Sequence, residues 1–173
     1  MSEHQTGKAK WEPSRKEIAL TSVLGSFFIG QIVLCVLFYN WANLDALLYL
    51  GWATFGVSFF IIGGMARYAF QTRGGKAVRQ SWLETTTLVD TGIYAVVRHP
   101  IYLSFMIYPV GLMLISQHWL SPILGFPLIV YLYHIMQVEE RVNIDKFGDD
   151  YRHYMARVPR ANFVAGFIRL LRR

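Results

Sequence analysis

Cysteine is nearly absent from this chain: Cys35 is the only one, which excludes an internal disulfide and a cysteine-based zinc site. It lies inside an apolar stretch and reads as a packing residue. Charge is scarce as well. Asp, Glu, Lys and Arg make up 16% of the 173 residues, against roughly a quarter in a soluble domain, while hydrophobic residues reach 54%. Several catalytic fingerprints are missing. Gly74-Gly75 lacks the strand–glycine–helix setting of a phosphate-binding loop, there is no G-x-S-x-G, and Ser104 has no adjacent base. His99 and His118 are expected at opposite membrane faces, so no metal centre is predicted; His134 reads as a core or helix-bonding histidine. The net charge of +6 is accompanied by no recognition module, which argues against nucleic acid as a partner. Internal repeats and low-complexity segments are absent too.

Three long charge-free stretches stand out: Ile18 to Tyr39, Ala46 to Ala66 and Pro100 to Val138. A spanning helix needs about 20 apolar residues. The first two stretches therefore suit single spans, and the third, nearly twice that length, suits a hairpin broken at "SQHWLSP", Ser116 to Pro122. The predicted fold is all-α, an integral membrane bundle of four transmembrane helices over 18–39, 46–66, 101–116 and 120–138. All 17 lysines and arginines precede the first span, lie between the second and third, or follow the fourth. By the positive-inside rule both termini are expected to be cytoplasmic. The first 17 residues are polar, so the first apolar run is expected to act as an anchor and not as a cleaved signal.

The chain is thus expected to form one domain: a polar tail over 1–17 with Trp11 and Pro13 near an interface, spans 1 and 2 over 18–66, a cytoplasmic connection over 67–99, the hairpin over 100–138 and a C-terminal segment over 139–173. Gly25, Ser26, Gly30, Gly51, Gly56, Gly63 and Gly64 are small residues suited to close helix approach. The connection is long for a bundle, and such loops are commonly functional or irregular. Beyond span 4 the helix should continue to about Phe147, where Gly148 can cap it. Asp149 or Asp150 would then N-cap a short helix ending before Pro159. In "NFVAGFIRLLRR", Phe163, Phe167, Leu170 and Leu171 share one face opposite arginines, a pattern for a helix lying on the membrane surface.

Two polar clusters flank the hairpin: Tyr94, Arg98, His99 and Tyr102 where it begins, Glu139 and Glu140 where it ends. A hairpin returns to the face it left, so these clusters can meet, and a cation at a membrane threshold needs such a partner. The simpler reading leaves Arg98 as a snorkelling topology anchor and the glutamates as markers of a helix leaving the bilayer.

The stretch "LVDTGIYAVVRHPIY", followed after the hairpin by "EERVNIDKFGDDYRHYMARVPR", resembles the C-terminal core of the isoprenylcysteine carboxyl methyltransferase family, within the wider group of integral-membrane methyltransferases that includes phospholipid N-methyltransferases. The paired motifs are G-x-Y-x-x-x-R-H-P-x-Y and E-E with F-G-x-x-Y, and the resemblance covers about residues 86–160. It implies an S-adenosylmethionine-dependent enzyme acting on a small lipophilic or lipid acceptor among membrane lipids. Cofactor contacts carry over to Thr87, Leu88, Val89, Tyr94, His99, Pro100, Ile101, Tyr102 and Glu140, and catalytic roles to Glu139 and Arg98, with no metal. The chemistry suits these types. Arg98 or His99 can meet a carboxylate, Glu139 or Glu140 a cation, and the tyrosines an adenine or ribose. Methyl transfer is an in-line displacement that asks chiefly for alignment in a dry site. Two departures leave the acceptor open between carboxylate and amine. Ile135 stands where characterised carboxyl methyltransferases carry Arg one turn before the glutamates, and Arg98-His99-Pro100-Ile101-Tyr102 replaces the N-P-M-Y usual in phospholipid enzymes. The loop at 71–85 also departs from the family pattern. Membrane sterol reductases resemble the same core, so an NADPH-dependent reductase is one alternative and a non-catalytic membrane protein another.

Overall fold

A computed structural model describes residues 15–75 and 85–172. The polar tail with Trp11 and Pro13 and the middle of the long connection lie outside the described residues. Seven α-helices and no strand are found among the described residues: α1 Arg15–Leu37, α2 Asp45–Gly56, α3 Gly64–Arg73, α4 Pro100–Ser116, α5 Leu120–Phe147, α6 Asp149–Arg157 and α7 Phe163–Leu171. A π-helical segment, Val57–Gly63, joins α2 to α3 in one continuous rod. Three rods, Ile18–Leu37, Asp45–Arg73 and Leu120–Phe147, are long and apolar enough to cross a membrane, and α4 is a shorter apolar helix. At 1.5 Å per residue, the 17 residues of α4 extend about 25 Å.

The second rod runs seven residues beyond the expected end at Ala66. Arg67 ends the charge-free run, but "RYAFQTR" contains nothing that breaks a helix, so the helix carries on to Arg73. Pro100 opens α4 at its first turn, where its missing N–H costs nothing. Gln117, with φ 54, caps the other end in the left-handed region. Gly148, with φ 61, ends α5 as expected. The same residue is also the N-cap of α6, so neither Asp149 nor Asp150 fills that position. With a single residue between two helices, both aspartates fall inside the first turn of α6. There they complement the helix dipole, and Asp149 pairs with Arg152 at 2.8 Å.

Helix α4 is the hub, packed against α1, α2, the π segment and α5. Gly51 permits a close approach of α2 to α4, since a Cβ there would lie 2.9 Å from the backbone nitrogen of Ile115. Gly63 is equally tight, 2.9 Å from Ser104 Oγ by the same measure. Gly25 and Gly56 meet nothing within 4 Å; they look onto open space and mediate no packing. Buried polar side chains reach carbonyls on neighbouring helices: Gln31 Nε2 donates to that of Pro109 at 2.9 Å, and Ser58 Oγ to that of Ser104 at 2.8 Å. Outward positions are large and apolar, as at Val36, Phe60 and Phe126.

Cys35 packs with Leu48, Leu112 and Ile115, in line with its expected role. His118 lies at the far end of α4 from His99 and stacks on Phe38. His134 is exposed, so it is not a core histidine. The packed face of α5 carries Ser121, Gly125, Leu128, Met136 and Glu140, and a residue two before Met136 projects to the opposite side.

Candidate functional site

The site is built on the eight residues before α4. Gly92, at φ 66, supplies the left-handed turn that leads into a 3₁₀ turn, Gly92–Ala95, and Ile93, Tyr94, Val96 and Val97 are buried behind it. This threshold is held from the C-terminal side. The backbone N–H of Arg98 donates to Pro159 O at 3.0 Å and that of His99 to Arg160 O at 3.2 Å. Tyr154 donates its hydroxyl to Tyr94 O at 2.7 Å. Arg169 reaches the carbonyls of Ala95 and Arg157, and Gly166 of α7 sits so close that a Cβ would lie 1.9 Å from Val96 O. Through Gly166 and Arg169, α7 faces the protein. Phe163, Val164, Phe167, Ile168 and Leu171 are exposed on its other side, the division of faces the sequence predicts.

The two polar clusters meet. Glu140, its side chain 4% exposed, pairs with Arg98 Nη2 at 3.0 Å. It also accepts a fork from Arg160, whose Nε donates to Oε1 at 3.0 Å and Nη2 to Oε2 at 2.6 Å. The hydrogen bond to Glu140 raises the Arg160 pKa above its ordinary value, so the guanidinium stays charged. The Arg160 guanidinium also donates to the Tyr133 hydroxyl at 3.0 Å and lies 5.3 Å from the centre of that ring. His99 Nε2 is 3.4 Å from Glu140 Oε1 but is not aligned for a hydrogen bond.

Glu139 takes no part in that cluster. One residue earlier on α5, and so about 100° round the helix, it lines a cavity of about 250 Å³ beside Tyr102. The cavity has two characters. Its polar end is formed by the threshold, with Arg98 and His99, and by Asn143 and Lys146 of α5; its other end, between the π segment and α4, is formed by Gly63, Ser104, Phe105 and Tyr108. Burial pushes the Tyr151 hydroxyl up to about 12 and raises those of Tyr94 and Tyr154 further. All three residues line the cavity and their phenols stay protonated; the Tyr154 hydroxyl is spent on the Tyr94 carbonyl, which leaves those of Tyr94 and Tyr151 as donors.

Of the residues singled out from sequence, Leu88, Val89, Tyr94, Arg98, His99, Pro100, Ile101, Tyr102 and Glu139 line this one cavity. Thr87 does not. It is exposed, and its hydroxyl faces Gly75, whose Cβ would lie 2.9 Å from it. Glu140 lies behind the wall and ties Arg98 in place. Arg160 was not foreseen, although it closes the motif "RVPR". Its partner is 20 residues away by sequence, and only the reversal at Gly148 brings the two together. Arg67, Phe70 and Ser104 were likewise unforeseen as lining residues.

A sequence model of the phospholipid methyltransferase family matches residues 27–150. Over 159 residues the chain is 26% identical to protein-S-isoprenylcysteine O-methyltransferase of Schizosaccharomyces pombe, a match covering 88% of this chain and 66% of that protein. It is 26% identical over 157 residues to methanethiol S-methyltransferase of Pseudomonas deceptionensis, covering 75% of this chain and 54% of the relative. To protein-S-isoprenylcysteine O-methyltransferase B of Arabidopsis thaliana it is 28% identical over 113 residues, or 62% and 57% of the two chains. The matches thus span between 54% and 66% of the length of these relatives. No solved structure matches the chain.

Proposed function

Because the chain belongs to the phospholipid methyltransferase family, we propose that it is a multi-pass membrane methyltransferase that uses S-adenosylmethionine to methylate a small lipophilic acceptor. The acceptor is a carboxylate or an amine; the names of the methanethiol relatives add a thiol to that range. The observation that carries the reading is a pair of buried nitrogens. Among the described residues Arg98 Nε and His99 Nε2 have no hydrogen-bond partner, and both side chains line the cavity. Buried polar groups are rarely left so. An anionic ligand group at that end satisfies them, and the carboxylate of the cofactor is such a group.

When bound, S-adenosylmethionine supplies a methyl group on a sulfonium, open to in-line displacement. The residues have separate tasks. Arg98 and His99 hold the carboxylate end, the first of them fixed by Glu140. Tyr94 and Tyr151 offer hydroxyls to ribose or adenine, and Leu88 and Val89 form an apolar wall. Glu139 faces the acceptor or balances cationic charge on the ligand. Gly63, Phe105 and Tyr108 keep the acceptor's end of the cavity dry, which favours a displacement reaction. The distribution of lysine and arginine supports a cytoplasmic site with both termini on that side.

Isothermal titration of detergent-purified protein with S-adenosylhomocysteine tests the reading. Binding is expected in the wild type and lost in Tyr94→Ala and His99→Ala. Stabilisation by S-adenosylhomocysteine and not by NADPH is expected in a thermal melt. A folded wild type that binds neither S-adenosylmethionine nor S-adenosylhomocysteine would refute the proposal.

A further inference from the structure

The buried cluster sets two guanidinium groups against one carboxylate. Arg98 and Arg160 are positive and Glu140 is negative, so the three side chains together carry a net charge of +1. Arg98 and Glu140 are 9% and 4% exposed at the side chain, and charges so withdrawn from water act with little screening. Arg160 stands apart from both. It does not line the cavity, it is 26% exposed, and it is anchored independently through the hydroxyl and ring of Tyr133. Its planar fork matches both oxygens of Glu140, the arrangement in which arginine binds a carboxylate most firmly.

On the functional reading above, we propose that Arg160 is a positioning residue that neutralises Glu140 from behind and so leaves the charge of Arg98 free to select the anionic end of the cofactor. Without Arg160, Arg98 and Glu140 form a neutral pair. Glu140 Oε2 then loses the guanidinium that donates to it at 2.6 Å, and a carboxylate entering the cavity meets no net positive charge from the pair. The inference concerns ligand selection. Arg160 acts on the carboxylate-bearing portion of the ligand and not on its nucleoside.

Two probes separate these portions. S-adenosylhomocysteine carries the amino-acid carboxylate; 5′-methylthioadenosine has the same nucleoside and thioether without it. For Arg160→Gln in the full chain, affinity for S-adenosylhomocysteine is expected to fall about tenfold, the scale of one charge-assisted contact, and that for methylthioadenosine to change by less than about twofold. Arg160→Lys keeps the cation and should lie between the wild type and Arg160→Gln. The double variant Arg160→Gln, Glu140→Gln restores the net charge of +1 through Arg98 alone, and should bind S-adenosylhomocysteine about threefold more tightly than Arg160→Gln, short of the wild type because Arg98 has lost the carboxylate that fixes it. It also removes both members of the ion pair, so it serves if the single variant does not fold. Equal losses for both probes, an unchanged Arg160→Gln, or a double variant that binds no more tightly than Arg160→Gln would each overturn the inference. A wild type that binds neither probe would instead sink the functional reading on which it rests.

Discussion

Glu139 and Glu140 are neighbours of identical chemistry with opposite surroundings, and replacing each by glutamine should give opposite results. Glu140→Gln keeps the shape but leaves Arg98 and Arg160 facing each other across a neutral amide. Removing one member of a buried ion pair costs about 3–5 kcal/mol because the remaining charge is stranded. With Arg98 9% and Arg160 26% exposed, Arg160 can turn partly to water, which sets the expectation near the lower end, about 3 kcal/mol. For a chain of this size about 1 kcal/mol corresponds to roughly 2–4 °C in midpoint. The melt of Glu140→Gln in detergent should therefore fall by about 6–12 °C. Glu139→Gln lines a cavity and breaks no ion pair of that cluster; its midpoint should stay within about 2 °C of the wild type while methyl transfer from labelled S-adenosylmethionine is lost. A Glu140→Gln midpoint unchanged within about 2 °C, or an equal fall in both variants, would refute the separation of a structural from a catalytic carboxylate.

Three further outcomes follow from contacts at the rim of the site. Gly166→Ala places a Cβ 1.9 Å from Val96 O; α7 must shift off the threshold, and a loss of about 1–3 kcal/mol with weakened S-adenosylhomocysteine binding is expected by melt and titration. Tyr154→Phe removes the donor to the Tyr94 carbonyl and should cost about 1 kcal/mol, read as a denaturation shift. Gly63→Ala narrows the apolar end, with a Cβ 2.9 Å from Ser104 Oγ. The KM for the acceptor should rise about tenfold with cofactor affinity unchanged, as steady-state kinetics against titration would establish.

The helices were legible because each depends on local composition. Charge-free runs placed α1, α4 and α5 closely, Pro100 marked the start of α4, and Gly148 the end of α5. The second rod was underestimated at Arg67 because charge limits a membrane span but does not stop a helix. The meeting of Arg98 with Glu140 was legible in outline from hairpin geometry alone. Which glutamate faces which way was not, since that depends on the rotation of α5 about its axis, set by contacts at Gly125, Leu128 and Met136. The part of Arg160 and the grip of α7 on the threshold were beyond reach for another reason. They join segments that carry no shared periodicity, through a backbone pairing at Arg98 and His99 and a glycine contact at Gly166 that leave no compositional trace.

The pairing of Arg98 and His99 with Pro159 and Arg160 also has a place in time. Chains are made from the N-terminus and fold in that order, so α4 and α5 can form their hairpin, and Arg98 can find Glu140, before residues 154–169 have emerged. During that interval the threshold has neither its downstream carbonyl partners nor the second arginine, and the glutamate answers a single cation. The hairpin is the earlier product; the ligand-ready threshold is a later one, completed by residues that never enter the bundle.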